Sequence, residues 1–218
     1  SELTKKHSIH TKIISTDFSK AHATQEVIHI TQDLEVGLLV ASAGFGSSGE
    51  FITTDLGTEL SMIDVNCRAV TEACHHFGGR FAKQKRGGII LLSSIVAFQG
   101  VPKSANYAAT KAYIQVLAEG LHAELLPHGV NVLASAPATV QTSFAKRANM
   151  QVGAALTAEI VARETLKALG KKVTVRPGFL SYFLGTSLAF LPRWAKVKVM
   201  AGVMGGMTKH QITSSVRT

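Results

Sequence analysis

Tyr107 and Lys111 are the two residues of this sequence whose types and spacing are best suited to chemistry. Residues four apart on a helix share a face, so the Lys111 ammonium is expected to lie beside the Tyr107 phenol. A phenol with a pKa of about 10 exchanges protons poorly at neutral pH, and a neighbouring cation lowers that pKa toward the working range. The pair therefore predicts an acid–base site, although the same spacing also occurs on ordinary half-exposed helix faces.

Three further segments carry polar residues that support such a site. Ser94 lies 13 residues before Tyr107, at the carboxyl end of an apolar segment typical of a buried strand. Asn66 falls inside a predicted helix, where asparagine is a poor helix former. The segment 137–142, Pro-Ala-Thr-Val-Gln-Thr, follows another predicted strand. Since open α/β sheets bind ligands at the carboxyl ends of their strands, these residues are expected to meet at one edge of a sheet.

The segments that must position these residues alternate between strand and helix patterns. Short apolar runs predict strands, and longer amphipathic runs that end at glycine or proline predict helices. The predicted strands are 11–16, 36–41, 88–93, 130–134 and 173–175, and the predicted helices are 21–33, 54–77 (ending before Gly78), 104–126 and 157–169. Strands separated by helices imply right-handed crossovers, so we predict an α/β fold with a doubly wound, Rossmann-like parallel sheet. Because no repeat or linker interrupts the chain, residues 1–218 are expected to form a single domain.

Asn66, Ser94, Tyr107 and Lys111 have the order and spacing of the catalytic tetrad of short-chain dehydrogenases/reductases, and the sequence resembles that family over nearly its whole length. The resemblance implies an NAD(P)(H)-dependent oxidoreductase that interconverts a carbonyl and a secondary alcohol by hydride transfer. It implies that Tyr107 exchanges a proton with the substrate oxygen, to which Ser94 is hydrogen-bonded. It also implies that Lys111 holds the nicotinamide ribose and lowers the Tyr107 pKa, and that Asn66 positions a water molecule next to Lys111. The implied cofactor is NADP or NAD, with NADP favoured.

Other segments resemble the parts of that family that bind the cofactor. The adenine contact is matched by Asp17-Phe18, and the loop beside the nicotinamide is matched by residues 137–142. The family's Asn-Asn-Ala-Gly is replaced by Ala-Ser-Ala-Gly at 41–44, and its Pro-Gly by Pro137-Ala138, so asparagine side-chain contacts are lost while backbone contacts can remain. Besides Tyr107 and Lys111, the cofactor-binding residues that the resemblance implies are Asp17, Phe18, Ala41, Ala43, Gly44, Pro137, Val140 and Thr142.

The family's first βαβ unit has no counterpart before Asp17. That unit normally carries a glycine-rich turn that binds the pyrophosphate at a helix N-terminus. The sheet is therefore expected to lack its N-terminal strands, because of either an incomplete sequence, which is favoured, or a truncated form with impaired cofactor binding. A rival interpretation takes residues 44–49, a literal Gly-x-Gly-x-x-Gly, as the pyrophosphate loop. It requires a second strand that ends at Asp64, and residues 56–74 show no strand pattern.

Two functions stay open for such a chain. The first is an active oxidoreductase, and its apolar, basic C-terminus favours lipid-like substrates such as 3-oxoacyl thioesters or steroids. The second is a non-catalytic relative, an interaction or scaffold protein, which the missing glycine turn and the lost asparagines favour. The family resemblance also implies a homodimer or homotetramer that packs through the long helices.

The C-terminal segment 179–218 combines large apolar residues with unopposed positive charge. The net charge of the chain is +9 at pH 7, and nine basic residues follow Glu164, the last acidic residue. We expect this segment to be a lid, an interface or a tail. It could cover the substrate, contact a membrane surface peripherally, or bind anionic acyl carriers. The remaining alternative is an oligomer interface followed by a solvated basic end. No nucleic-acid-binding motif accompanies the charge, so no nucleic-acid partner is expected.

The cysteines and histidines indicate no metal site. Cys67 and Cys74, the only two cysteines, lie two helical turns apart, too far for a disulfide, which suits a reducing compartment. The run Cys74-His75-His76 directs adjacent side chains to different sides of a helix, and no fourth ligand is in register. The longest apolar stretch, 179–192, is too short and too interrupted to span a bilayer. We therefore expect a metal-free, cytoplasmic protein that acts on a small molecule.

Overall fold

The computed structural model of the chain describes residues 2–153 and 155–211. Its centre is a four-stranded parallel sheet in the order β1–β2–β3–β4. The strands are β1 (Leu38–Ala41), β2 (Gly87–Leu92), β3 (Val130–Ser135) and β4 (Thr174–Val175). The α-helices are α1 (Glu2–His7), α2 (Ala23–Ile30), α3 (Leu56–Ile63), α4 (Ala69–Gln84), α5 (Ala105–Leu125), α6 (Phe144–Arg147), α7 (Ala158–Ala168), α8 (Phe179–Ala189) and α9 (Arg193–Met207). The remaining turns are a π-helical turn, Asp64–Arg68, between α3 and α4, and the 3₁₀ turns Phe51–Thr53, Ile95–Phe98 and Leu126–His128.

The sheet forms the core because its middle strands are apolar on both faces. β2 pairs with β3 from Gly87 to Leu92 and with β1 from Gly88 to Leu91. Parallel strands buried on both faces have such continuous apolar sequences. One face of the sheet packs on α4 and α5 in the main hydrophobic cluster, and the other packs on α7 in a smaller cluster. Helices on both faces of a parallel sheet confirm the predicted Rossmann-like α/β fold.

The predicted strand 11–16 is wrong, whereas the other strands form within two residues of their predicted bounds. Residues 8–17 have no regular structure, and Ile13 is 85% exposed. A strand is stable only when a neighbour satisfies its backbone groups, and no described strand lies beside this segment. β1 and β4 are the edge strands of the sheet, and the Leu38 and Val40 side chains of β1 are 38% and 48% exposed.

The predicted helix 54–77 is also wrong in its end, because helical structure continues through Gly78-Gly79 to Gln84. Gly78 is buried against α5, and a Cβ at this position would come within 3.3 Å of a Leu125 methyl group. The glycine therefore allows close helix packing and does not end the helix. The end comes at Lys85, which has a φ of 53° in the left-handed region.

The C-terminal segment forms α8 and α9, which contribute to one apolar cluster beside the end of β2. Val101 and Ala108 contact Leu188 of α8 and two methionines of α9, Met200 and Met204. Residues 212–218, which include Arg217, lie outside the described residues. Across the described part of the chain, the helices are all too short or too polar to reach from one side of a bilayer to the other.

Candidate active site

Tyr107 and Lys111 lie one turn apart on α5, at the carboxyl edge of the sheet. The Lys111 Nζ atom is 5.8 Å from the centroid of the Tyr107 ring. Ala108 and Ile114 of the same helix are buried, and Ile114 packs in the main core. This packing fixes the rotation of α5 and directs the Tyr107–Lys111 pair to the ends of the strands.

The Lys111 amine is buried at the end of β2. The residue is 8% exposed, and Nζ donates a 2.6 Å hydrogen bond to the carbonyl oxygen of Leu92, the last residue of that strand. Burial disfavours the charged amine and lowers the pKa of Lys111 to about 8, an effect that the nearby Cys67 opposes. The amine can therefore exchange a proton close to physiological pH.

The Tyr107 hydroxyl lies beside the Ser94 side chain. Tyr107 is only partly buried as a whole, and its hydroxyl end is the enclosed part. Burial disfavours the phenolate and raises the pKa of Tyr107 to about 12, while the neighbouring Ser94 side chain opposes that rise. The predicted lowering of this pKa by Lys111 is therefore wrong for this structure. The reason is that the ammonium is bonded to Leu92 and stays 5.8 Å from the phenol ring.

Ser94 follows β2 and begins the 3₁₀ turn Ile95–Phe98. The residue is 9% exposed, and its hydroxyl oxygen accepts a 3.4 Å hydrogen bond from the Val96 N–H group. The next residue, Ile95, donates its N–H group to the Pro137 carbonyl oxygen at 3.1 Å. The segments that follow β2 and β3 are thereby joined, and Ser94 is held at the same edge as Tyr107.

Asn66 is presented by the π-helical turn between α3 and α4, a type of turn found often at functional sites. The residue is 1% exposed. Its Oδ1 atom accepts a hydrogen bond from Phe45 N–H at 3.1 Å, and its Nδ2 atom donates to Phe45 O at 2.9 Å and to Thr110 Oγ1 at 3.0 Å. Both amide donors are thus used to join the loop after β1 to α5.

Gly44 lies directly against two of these side chains. A Cβ on Gly44 would come within 2.9 Å of Asn66 Oδ1 and within 3.6 Å of Lys111 Nζ. Only a residue without a side chain allows the backbone after β1 to pass this close to both groups. The structure therefore brings together all four predicted tetrad residues and the predicted cofactor residue Gly44.

Gly46 makes a second close approach, on the other side of Tyr107. A Cβ on Gly46 would come within 2.8 Å of Phe144 Cζ and within 3.1 Å of Tyr107 Cδ2. The rings of Tyr107 and Phe144 pack with their centroids 5.1 Å apart. The short helix α6, which carries Phe144, therefore covers one side of the candidate site.

The rival interpretation of residues 44–49 as a pyrophosphate loop is wrong. The backbone N–H groups of Phe45 and Gly49 are used by Asn66 Oδ1 and the Lys103 carbonyl oxygen. Asp64, which the rival places at the end of a second strand, lies in the π-helical turn. The loop therefore packs against the tetrad residues Asn66 and Lys111. This agrees with the match of residues 41–44 to the family's Asn-Asn-Ala-Gly segment.

Comparisons with known proteins identify the family of this chain. A sequence model of the short chain dehydrogenase family matches residues 1–153. The chain belongs to this family. A 7beta-hydroxysteroid dehydrogenase from Clostridium sardiniense is 30% identical to it over 174 residues, which cover 78% of this chain and 67% of that protein. One from Collinsella aerofaciens is 29% identical over 186 residues, which cover 81% of this chain and 70% of that protein.

Solved structures share the fold of this short-chain dehydrogenase. A 7beta-hydroxysteroid dehydrogenase structure has a TM-score of 0.83 at 27% sequence identity, covering 91% of this chain and 79% of that one. A short-chain dehydrogenase from Sphingobium yanoikuyae, in complex with NADPH, has a TM-score of 0.77 at 22% identity, covering 88% and 80%. The chain is therefore an oxidoreductase that acts on CH–OH groups, with the Rossmann-like fold of its family.

In this short-chain dehydrogenase, the predicted adenine contact Asp17 lines a cavity of about 640 Å³ with Ser19, Phe45 and Arg147. The carboxylate is exposed and accepts a 3.0 Å hydrogen bond from Ser19 N–H, which holds the pKa of Asp17 below its ordinary value. Phe18 is half-buried and does not belong to the cavity lining. Asp17 is thus free to accept a hydrogen bond from a ligand in this cavity.

The other predicted cofactor residues lie at the ends of β1 and β3. Ala41 ends β1 and is half-buried, whereas Ala43 beside Gly44 is exposed. After β3, Pro137 is buried, Val140 forms an isolated parallel bridge with Leu156, and Thr142 is exposed. The Thr142 hydroxyl accepts a 3.3 Å hydrogen bond from Phe144 N–H. Thr142 is therefore tied to α6 and not to the tetrad.

Sequence reasoning missed three residues that shape the site. Phe45 binds Asn66 through its backbone, so its side-chain type carried no signal. Phe144 reaches Tyr107 only through the path of the chain after β3. Ser181 is fully buried on α8, and its hydroxyl accepts a 2.7 Å hydrogen bond from the Ala138 N–H group. A serine inside an apolar segment was the one available signal, because a buried hydroxyl requires a partner.

Proposed function

We propose that this chain interconverts a ketone and a secondary alcohol with a nicotinamide dinucleotide, using Tyr107, Ser94, Lys111 and Asn66. The observation that carries the proposal is the position of the Ser94 side chain beside the Tyr107 hydroxyl, with the Lys111 amine 5.8 Å from the phenol ring. Two hydroxyls that meet at the carboxyl edge of a parallel sheet can bind one substrate oxygen between them.

Each tetrad residue has its own role in the reaction at that oxygen. In the reducing direction Tyr107 donates its phenol proton, and Ser94 donates a hydrogen bond to the same oxygen. A pKa of about 12 keeps the Tyr107 phenol protonated at neutral pH, so the proton is present, although a pKa this far above the working pH makes the phenol a weak acid. The bound nicotinamide supplies or accepts the hydride. Lys111 holds the ribose of the nucleotide, and Asn66 acts as a positioning residue through the loop after β1.

The residues of this chain fit a nicotinamide dinucleotide at both of its ends. The Lys111 ammonium has donors beyond the one bound to Leu92, which suits ribose hydroxyls. Asp17 offers an exposed carboxylate, which suits an adenine amino group. Between them, Ala43 and Gly44 leave exposed backbone without a long side chain. NADP(H) and NAD(H) are both candidate cofactors, and NADP(H) is the first to test.

The substrate that we propose is a steroid. Two similar proteins are 7beta-hydroxysteroid dehydrogenases. The apolar cluster of Val101, Leu188 and the α9 methionines packs α8 and α9 against the segment that follows Ser94. Because the members of this cluster are buried, the support for a steroid comes from the similar proteins.

Tyr107→Phe tests the proposal, with Tyr113→Phe on the same helix as the matched control. The full chain is first titrated with NADPH and NADH by nicotinamide fluorescence, and turnover is then measured with 7-oxosteroids, 7-hydroxysteroids and 3-oxoacyl thioesters. Tyr107→Phe removes the proton donor and keeps the ring that packs on Phe144, so turnover should fall by at least about 100-fold. Tyr113 is bonded through its hydroxyl to Thr71, away from the site, and its variant should keep full turnover. Unchanged turnover in Tyr107→Phe contradicts the proposal.

A non-catalytic relative is the second candidate function. The observation that favours it is the packing of Phe144 on Tyr107, with ring centroids 5.1 Å apart, which closes one side of the site. This candidate predicts no saturable change of nicotinamide fluorescence with either dinucleotide. Saturable binding excludes it.

We also propose that the chain forms a homodimer through α3 and α5. Leu56, Leu60 and Ile63 recur on one side of α3 and are 66%, 53% and 43% exposed. On α5, Tyr113 and Val116 are exposed as well. Light scattering of the full chain and of Leu60→Glu tests this: the variant should shift the mass from dimer to monomer.

A further inference from the structure

Helix α8 is packed in an unusual way for a helix of a globular domain. It buries a narrow stripe of Ser181, Gly185 and Leu188, of which two are small residues. Its large apolar side chains point outward instead. Amphipathic helices normally bury their large apolar side chains, so the outer side of α8 is built for contact with a further apolar surface.

The outward side chains of α8, of the following turn and of the start of α9 are exposed and largely apolar, and we call them the α8–α9 apolar face. It is defined by five aromatic residues: Phe179 (81% exposed), Tyr182 (63%), Phe183 (55%), Phe190 (85%) and Trp194 (65%). Phe179 and Phe183 stack with their centroids 6.0 Å apart. Leu180 and Leu191, 40% and 38% exposed, extend the surface. Single exposed apolar residues are ordinary on proteins, but five exposed aromatics within residues 179–194 indicate a binding surface.

Positive charge borders this face. Arg193 and Lys198 are exposed at the start of α9, and the Lys198 Nζ atom lies 5.2 Å from the centroid of the Trp194 ring. Lys196 lies between them in the sequence and is half-buried. No acidic residue follows Glu164, so nothing from this part of the sequence offsets these cations. An occupant of the face must therefore offer apolar surface together with negative charge.

We propose that the α8–α9 apolar face docks on the surface of an anionic lipid bilayer. Aromatic side chains that are flanked by lysine and arginine are suited to the boundary between acyl chains and headgroups, where Trp and Tyr are enriched. A second copy of this chain is a less suitable occupant of the face, because face-to-face packing would place the positive charges of the two copies opposite one another. The inference is independent of the tetrad chemistry, since it concerns binding and not turnover.

Trp194 allows the docking to be measured directly, because it is the only tryptophan of the chain. The full chain is titrated with vesicles of phosphatidylcholine alone and with vesicles of phosphatidylcholine mixed with phosphatidylserine. We expect the Trp194 emission to shift to shorter wavelength and the protein to sediment with the vesicles, in both cases only when phosphatidylserine is present. Raising the salt concentration should weaken the binding, since headgroup attraction is screened.

Two pairs of variants separate the apolar and the charged contributions. Phe183→Ser with Phe190→Ser removes two of the five aromatics and should weaken vesicle binding at least about tenfold. Arg193→Gln with Lys198→Gln removes two cations, each of which contributes about fivefold near an anionic surface, so binding should weaken about 25-fold. Phe183 and Phe190 are 55% and 85% exposed, and Arg193 and Lys198 are exposed as well, so the thermal midpoint should stay unchanged.

Matched controls carry the same changes elsewhere on the surface. Phe51→Ser with Ile52→Ser alters residues that are 58% and 90% exposed, and Lys12→Gln with Lys83→Gln removes two exposed cations. Both controls should bind vesicles as the parent chain does. Docking is overturned if the vesicles leave the Trp194 emission unchanged, or if both vesicle types bind equally. It is also overturned if light scattering shows that the Phe183/Phe190 variant dissociates a dimer while the parent chain ignores vesicles, because a second copy then covers the face.

Discussion

Asn66 and Phe45, 21 residues apart, are joined by a reciprocal pair of hydrogen bonds between the side-chain amide of one and the backbone of the other. β1 ends at Ala41, so Phe45 lies beyond the strand. The Asn66 amide satisfies the backbone N–H and C=O groups of Phe45, as a neighbouring strand would. Because Gly44 lies next to Phe45, the same pair of bonds holds the glycine against Lys111. The position of the loop after β1 thus depends on one side chain from a π-helical turn.

Asn66→Ala should therefore destabilise the fold. The substitution leaves the buried N–H and C=O groups of Phe45 without partners, and each such group costs about 1–3 kcal/mol. We expect the free energy of unfolding, measured with urea, to fall by about 2–4 kcal/mol. Asn66→Asp is the matched variant: it keeps an acceptor for Phe45 N–H, loses the donor, and buries a charge, so it should cost at least as much. A loss below about 0.5 kcal/mol in Asn66→Ala contradicts the importance of this pair.

Gly46→Ala should reduce turnover more than stability. The new methyl group meets Phe144 Cζ at 2.8 Å and Tyr107 Cδ2 at 3.1 Å, so both rings must shift. Phe144 can move with α6, but Tyr107 then leaves its position beside Ser94. We expect turnover to fall at least about tenfold, since small misplacements of reacting groups are costly.

Gly79→Ala is the control for that experiment. This glycine lies inside α4 with no neighbouring atom within 4 Å of an added Cβ. Alanine should raise the free energy of unfolding by up to about 1 kcal/mol through helix propensity and leave turnover unchanged. Equal turnover in the two alanine variants counts against a role for the close approach at Gly46.

The stability of the chain should rise between about pH 8 and pH 10.5 because of Lys111. The pKa of this amine is about 8 in the folded chain against an ordinary value of 10.5. Between these values the unfolded chain binds more protons, so the free energy of unfolding increases with pH. The penalty for burying the ammonium is complete below the folded pKa and is gone above the ordinary one. The raised pKa of Tyr107, about 12 from an ordinary value of 10.0, lowers stability only above pH 10.

Lys111→Met isolates this effect, because the variant keeps the apolar stem and lacks the titrating group. From about pH 7.5 to about pH 9.5, the parent chain should gain about 2 kcal/mol of unfolding free energy relative to the variant. Lys83→Met, which removes an exposed lysine of α4, should follow the parent chain at every pH. Parallel stability curves for the parent and Lys111→Met overturn the assignment.

Ser181→Ala should weaken both the fold and cofactor binding. The fully buried Ser181 hydroxyl accepts a 2.7 Å hydrogen bond from Ala138 N–H, in the loop after β3 that is proposed to border the nicotinamide. Without it, a buried N–H group loses its partner, at a cost of about 1–3 kcal/mol. Unfolding with urea and nicotinamide fluorescence measure the two effects. Ser187→Ala, on the exposed side of the same helix, should change neither.

The tetrad and most of the fold were predictable because they rest on local sequence patterns. β2 and β3 are continuous apolar runs and α5 is a long helical segment that ends before proline and glycine, and their bounds were predicted within one residue. The predicted strand 11–16 failed because a strand depends on a neighbour, which no local pattern reveals. The predicted helix end before Gly78 was wrong for a related reason. This glycine looks like a helix end in the local sequence, but it allows close contact with α5, which only the tertiary structure reveals.

By itself, the sequence determined which side chains could meet. It determined the helical spacing of Tyr107 and Lys111, the position of Ser94 at the end of a buried strand, and the loss of both family asparagines at 41–42. Only the tertiary structure decided how these groups are bonded and charged. Burial raises the Tyr107 pKa, Lys111 is bonded to Leu92, and the Asn66 amide is used by Phe45. The physical reason is that spacing along a helix sets direction, whereas desolvation and hydrogen-bond partners come from segments distant in the chain.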